Sequence, residues 1–163
     1  MDCEQFRAIM RQHASGVTLI CTGTIGNRVG LTATAVCPVT DTPPTILACV
    51  NKNAAAHNAI AASAKFSINF LSNQHETIAG IFAGWSDLKG EERFKAPGHV
   101  WGAHASGTPR LEGAIAHMDC TIVEKQEISS HTIFIGQVNE GGFNEANAPL
   151  LYFRSGFSQL TDV

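Results

Sequence analysis

Apolar positions recur along this chain with two different periods, and each change of period marks an element. Phe6, Ile9, Met10 and His13 fall at three-and-four spacing, which predicts a short amphipathic helix from Asp2 to His13. After Gly16 comes VTLICTGTI, a run rich in β-branched residues that reads as a strand ending at Gly26-Asn27, a pair suited to a tight hairpin turn. The return strand RVGLTATAV is expected to reach about Val36. The next segment, CPVTDTPPT, carries Pro38, Pro43 and Pro44, which cannot donate to a ladder and are expected to leave the sheet. TILACVN is a third strand. Asn53 is suited to N-cap the helix AAAHNAIAAS. KFSINFL is a fourth strand, and Asn73 with Glu76 three residues on predicts a capping box that opens a further helix.

Residues 84–110 change character, with Gly, Pro and Trp beside the densest charge in the chain, DLKGEERFK. This is expected to be a long surface excursion of the functional kind. The last third returns to strands in GAIAHMDCTIVEKQEI, HTIFIGQVNE and LLYFRSGFSQL. Their alternation is imperfect, as befits curved antiparallel strands partly buried on both faces. With neither repeats nor linkers, residues 1–163 read as one domain: mainly β, an antiparallel barrel decorated by short helices rather than a doubly wound sheet.

Composition narrows the function classes. Charged residues make up only 15% of the chain, and 11 Lys plus Arg stand against 14 Asp plus Glu for a net charge of −3. That balance excludes the broad basic footprint of a nucleic-acid binder. No apolar run approaches a membrane span. The first residues lack the basic-then-apolar order of a secretion signal, so a cytoplasmic location is expected. The five cysteines (Cys3, Cys21, Cys37, Cys49 and Cys120) include no C-x-x-C pair. Apart from Cys3 they read as small buried hydrophobes in a reducing compartment, with Cys37 the one candidate reactive thiol.

No G-x-G-x-x-G, G-x-x-x-x-G-K-[ST], G-x-S-x-G or H-E-x-x-H is present, which disfavours Rossmann enzymes, P-loop ATPases and common hydrolases. His99 and His104 share a Gly-rich loop without a third ligand at matching spacing, so a zinc site is not expected. Between Gly30 and Asn58 the only charges are Asp41 and Lys52. There Thr32 and Thr34 alternate with Ala33 and Ala35, putting hydroxyls on one face while small residues admit a flat ligand; a threonine-rich edge strand accounts for the same pattern. Asn51, Lys52 and Asn53 precede a predicted helix whose first amides lack partners, an arrangement that suits phosphate as well as plain N-capping by Asn53. Together these features suggest a pocket for a planar ring with a phosphate tail.

The blocks FRAIMRQHASGVTLICT, GLTATAVCPVTDTPPTILACVN, KFSINFL, IFAGWSDLKGEERF, GAIAHMDCTI, SHTIFIGQV and PLLYFRSGF resemble the short-chain flavin reductases. These are split-barrel flavin-binding proteins that serve as reductase components of two-component monooxygenases. TATAVC, TDTPP and EERF look most like the reductase of 4-hydroxyphenylacetate 3-monooxygenase and its relatives. The resemblance implies an FMN-binding type of split β-barrel that uses NADH or NADPH to reduce FMN or FAD. It further implies a homodimer that hands reduced flavin to a partner flavin-dependent oxygenase.

The resemblance also implies a site. Thr32, Ala33, Thr34, Ala35 and Val36 would hold the flavin ring. Cys49, Val50, Asn51, Lys52, Asn53 and the following helix with His57 would hold the phosphate and ribityl chain. The segment of Phe82 and the loop of Glu92, Arg93 and Phe94 would border the ligand. Where relatives often carry Ser and Thr, this chain has Asn53, Ala54, Ala55 and Ala56, which leaves Lys52, Asn53 and main-chain amides to do more of the binding. His131 matches a family histidine on the nicotinamide side, although Ser129 and Ser130 replace the Gly and Asp before it. Two rival readings are a reductase with tightly held flavin that passes electrons to oxygen or a metal, and a flavin- or haem-carrying module without turnover.

Overall fold

A computed structural model describes residues 1–160. The first helix, α1 (Cys3–Met10), is closed at its amino end by a reciprocal cap between Asp2 and Gln5. Two strands follow, β1 (Ser15–Gly16) and β2 (Thr18–Thr22). Every residue of β2 is buried, which is why its centre, Leu19-Ile20-Cys21, is apolar without alternation, while the hydroxyls of Thr18 and Thr22 are bonded to main-chain carbonyls. It pairs with β3 (Val29–Ala33), Thr22 facing Val29. The turn between them therefore spans residues 23–28, longer than the tight Gly26-Asn27 turn expected, with Gly23 and Gly26 both at positive φ.

The chain then forms β4 (Val36–Asp41), β5 (Pro44–Asn51), α2 (His57–Ser63) and β6 (Lys65–Phe70). Contrary to expectation, the proline segment does not leave the sheet. Pro38 pairs with Ile46 in β4, an edge strand, where a missing N–H faces no neighbour. Asn53 is likewise not the helix cap: α2 begins four residues later, with Ala56 at its N-cap and no side-chain bond there. The capping box after β6 is displaced by one residue to Ser72 and His75, and α3 (Glu76–Ala83) runs on to Gly84 in the left-handed region.

Residues 84–110 are less of a surface excursion than expected. A short 3₁₀ turn (Gly90–Lys95) and a hairpin of β7 (Trp101–Ala103) and β8 (Pro109–Leu111) fold back, burying Phe94, Ala96 and Leu111. The chain ends in the long hairpin of β9 (Ala116–Ile128) and β10 (His131–Phe143), then β11 (Leu150–Phe153) and β12 (Gly156–Gln159).

The main sheet has the order β3-β2-β6-β9-β10-β5-β4, every pairing antiparallel. Its two edges, β3 and β4, are joined only by Thr34 and Ala35. A flat sheet of seven strands would hold its edges roughly 29 Å apart. Two linking residues bridge at most about 11 Å. The sheet must therefore curl until β3 and β4 approach, and bulges in the β9–β10 ladder supply part of the bend. Among the described residues no ladder closes that seam, so the barrel stays split there, as the resemblance implied.

Two apolar clusters fill the fold. Ile20, Val50, Ile60, Phe66, Ile68 and Phe134 occupy the inside of the curled sheet with α2 among them. Leu19, Cys21, Leu71, Ile78, Phe82 and Phe94 pack between the sheet and α3. Cys21 and Cys120 are buried as expected, Cys49 is half-buried, and Cys37 is exposed on the edge strand, against the expectation of a buried thiol.

Candidate functional site

Alongside the open seam lies a groove of about 380 Å³. One wall is Gly30, Leu31 and Thr32 of β3; another is Asn51, Asn53, Ala54 and Ala55; Phe82, Ala83, Gly84 and Arg93 close the third. The Asn51–Ala55 wall is a turn held by its own side chain: the Asn53 amide donates to the Asn51 side-chain oxygen at 2.9 Å, and the Ala54 amide to the Asn51 carbonyl at 2.9 Å. The Lys52 amide donates to the Ser130 carbonyl at 2.9 Å, stitching the turn to the tip of the β9–β10 hairpin.

Small residues shape the groove. Gly30 is required by packing, since a Cβ there would stand 2.8 Å from the Cys21 sulfur and 2.9 Å from the Phe82 ring. Ala54, Ala55, Ala83 and Gly84 keep the opposing walls low, so a flat ligand can approach the backbone. The Thr32 hydroxyl donates to the Ala79 carbonyl at 2.6 Å, tying β3 to α3.

Arg93 supplies the groove's positive charge. Its Nε donates to the Leu88 carbonyl at 2.9 Å, its guanidinium lies 6.0 Å from the Phe82 ring centroid, and no carboxylate pairs with it among the described residues. The loop that carries it is pinned by Glu91. That carboxylate accepts from the Arg28 amide at 2.8 Å and from Arg28 Nε at 3.0 Å, while Arg28 stacks 4.7 Å over the Phe94 ring. The Arg28 guanidinium holds the Glu91 carboxyl well below the usual range, at about 2.

Of the residues singled out from the sequence, Thr32, Asn51, Asn53, Phe82 and Arg93 meet in this groove. The others stand around it in different roles. Ala33 ends β3, Thr34 and Ala35 are the seam connection, and Val36 starts β4. The carbonyls of Ala33, Thr34 and Ala35 accept from Thr18 Oγ1, the Val36 amide and the Cys49 amide respectively, so contacts along this segment fall to N–H groups and side chains. Val50 and Phe94 point into the two cores. Cys49 faces outward beside them, its thiol pushed up by burial. Lys52 turns to Glu127, with Nζ 2.7 Å from the carboxylate, instead of toward the groove. Because α2 begins only at His57, the first-turn amides expected beside Asn53 are not there. His57 lies beneath, its Nε2 2.8 Å from the Thr132 hydroxyl.

His131 opens β10 directly opposite Asn51. Sequence reasoning missed the walls made by Gly30, Leu31, Ala54, Ala55, Ala83 and Gly84 and the Arg28–Glu91 tether. The low side chains were visible as Gly and Ala next to the named positions, but nothing local shows that the end of α3 meets β3. Among the described residues no group of three or more metal-ligating side chains gathers, and no helix is long and apolar enough to cross a membrane.

A flat groove with amide groups, a hydroxyl and one unpaired guanidinium fits a planar ring bearing an anionic tail, the chemistry of a flavin. The model of the flavin reductase like domain matches residues 10–161. The chain is 35% identical over 157 residues to the 4-hydroxyphenylacetate 3-monooxygenase reductase component of Pseudomonas aeruginosa, covering 96% of this chain and 91% of that one. It is 39% identical over 153 residues to the FMN reductase (NADH) RutF of Ancylobacter novellus, covering 92% and 81%. Its fold is similar to the solved structure of the Streptomyces globisporus C-1027 NADH:FAD oxidoreductase SgcE6 in complex with NAD and FAD fragments, with a TM-score of 0.89 at 30% identity, over 99% of this chain and 94% of that one.

Proposed function

This chain belongs to the flavin reductase like domain family, and from that premise we infer that it is a flavin reductase that takes hydride from NADH or NADPH and releases reduced FMN or FAD to a separate flavin-dependent oxygenase. The observation that carries the reading is the groove at the seam, where low walls, two asparagines and the carboxylate-free Arg93 come together. The flavin and nicotinamide supply the hydride chemistry when bound; the protein supplies binding, orientation and electrostatics.

Each wall has a task. Gly30, Ala54 and Ala55 let the ring lie against the backbone, and the Asn51 Nδ2 and the Asn53 side-chain carboxamide fix its polar edge. Arg93 neutralises the phosphate, and the Arg28–Glu91 pair holds the Arg93 loop in place. His131, across the ladder from Asn51, orients the nicotinamide. The outer face of the sheet carries Leu47, Cys49, Ile133 and Ile135 only half-buried in one chain. That apolar strip supports a homodimer in which a second copy covers it. Free thiols, with no disulfide among the described residues, support a cytoplasmic location.

The test is consumption of NADH and NADPH by purified protein with FMN, FAD or riboflavin added. Flavin-dependent loss of the reduced nicotinamide absorbance is expected, and its absence with all three flavins refutes the reading. Passage through a desalting column should strip the flavin; yellow colour that never leaves would argue for a tightly held group instead.

A further inference from the structure

Two histidines meet away from the groove at the seam, where the β7–β8 hairpin packs on the sheet. His104 follows β7 and His117 lies near the start of β9, with ring centroids 5.0 Å apart and planes inclined at 61°. His104 Nε2 and His117 Nδ1 are both buried, and neither has a hydrogen-bond partner among the described residues. Burying a polar atom without a partner is costly, so a pair of them on adjoining rings calls for a shared ligand.

The surroundings hold both rings ready for one. A carboxylate can only accept, so His104 Nδ1, 2.8 Å from Glu140 Oε1, carries the proton, and in the neutral ring Nε2 bears a bare lone pair. Carboxylates bonded in this way to the far nitrogen orient the histidines of metal sites. The same Glu140 oxygen accepts from the Ala105 amide at 2.9 Å. Ser106 Oγ and Thr108 Oγ1 each donate to Asp119 Oδ1 at 2.6 Å, which anchors the hairpin turn to β9. His104, its side chain 1% exposed, is thereby fixed in place. His117 is seated against β10 at Gly142, where a Cβ would stand 2.9 Å from its Nε2, so that glycine makes room for the ring.

Two imidazoles bound at about 2.0–2.1 Å to one tetrahedral ion have ring centres about 5 Å apart, which is the separation here. Imidazole nitrogens in tetrahedral array suit zinc. We propose that His104 Nε2 and His117 Nδ1 form a site for a divalent zinc ion that ties the β7–β8 hairpin to β9, with Glu140 as the positioning residue. No third ligating side chain gathers there among the described residues, so water completes the coordination, reaching it past the half-buried His117. The hairpin carries Trp101, whose ring lies 5.8 Å from that of Phe82, so the tie steadies the back of one groove wall. The site stands independently of the flavin reductase reading.

Zinc ion alone is the probe, titrated by calorimetry against the full chain and against His104→Ala, His117→Gln and Glu140→Gln. Both histidine variants should bind zinc at least tenfold more weakly, and Glu140→Gln about tenfold more weakly although it removes no ligand. Zinc at a hundred times its dissociation constant should raise the wild-type melting temperature by roughly 5 °C or more and that of the histidine variants little. No zinc binding to the wild type, equal binding to the wild type and both histidine variants, or unchanged affinity in Glu140→Gln overturns the proposal. Circular dichroism of each variant without metal separates loss of fold from loss of the site.

Discussion

His131 and Asn51 face each other across the β10–β5 ladder, one at the first position of its strand and the other at the last. Directly opposed residues on antiparallel strands project to the same face. A residue far along the sequence thus stands beside the turn that builds the groove. Its Nδ1 is 2.9 Å from the Ser130 hydroxyl, which leaves Nε2 for a ligand. His131→Ala should therefore raise the KM for NADH more than that for flavin. An equal rise in both would refute a positioning role on the nicotinamide side.

Arg93 and Lys52 are both cations beside or near the groove, but only Arg93 lines it without a carboxylate partner among the described residues. Removing a charge-assisted hydrogen bond costs about 1.5–3 kcal/mol, whereas an exposed ion pair such as Lys52–Glu127, screened by water, contributes little. Arg93→Ala should weaken FMN by roughly tenfold or more and riboflavin much less, while Lys52→Ala should change either by no more than a few-fold. Fluorescence titration of both flavins checks the ranking, and a larger loss for Lys52→Ala would assign the phosphate to Lys52.

The Glu91 carboxyl is held at about 2 by the Arg28 guanidinium, below its ordinary 4.5, in a pair whose side chains are only 11% and 19% exposed. A lowered pKa means that the charged form is favoured by folding. The contribution is complete above the ordinary value and fades as pH falls from about 4.5 to about 2. Glu91→Gln should melt below the wild type at neutral pH, and the difference should shrink across that acid interval. Melting curves at stepped pH test this, and a gap that stays constant into strong acid would contradict it.

Gly136 sits where β10 bends over the inner core. A Cβ there would stand 2.6 Å from the Phe66 ring and 2.9 Å from Cys120 Cβ. Overpacking of that kind costs about 1–3 kcal/mol. Gly136→Ala should lower the denaturation midpoint without changing the KM for flavin in the folded fraction, since Phe66 and Cys120 belong to the core and not to the groove.

Which segments are helix and which strand was legible wherever periodicity and propensity act over a few residues. VTLICT, TILACVN, KFSINFL and HTIFIGQV are strands because β-branched and apolar residues favour a half-buried pleat, and FRAIM is helix because its apolar positions repeat every three or four residues. Boundaries set by capping were less legible. Asn53 has the chemistry of a cap, yet its amide is bound to Asn51 and the helix waits for His57. The prolines misled in the opposite direction, because tolerance of Pro38 depends on β4 being an edge, a fact about neighbours and not about the segment.

The sequence by itself determined a curled antiparallel sheet, its sparse charge between Gln12 and Ala64, and five of the residues that line the groove. The sheet, Thr32, Asn51 and Asn53 follow from local periodicity and from small and polar side chains along a short stretch, whereas Phe82 and Arg93 follow only from the resemblance to the flavin reductases. Only the tertiary structure decided which of them act together. Pairing seven strands so that two linking residues join the edges places β3, the turn after β5 and the end of α3 around one groove. The same curl turns Val50 into the core, turns Lys52 toward Glu127, and leaves Arg93 as the groove's unpaired cation. Side-chain direction depends on strand register and long-range pairing, neither of which any window of the sequence contains.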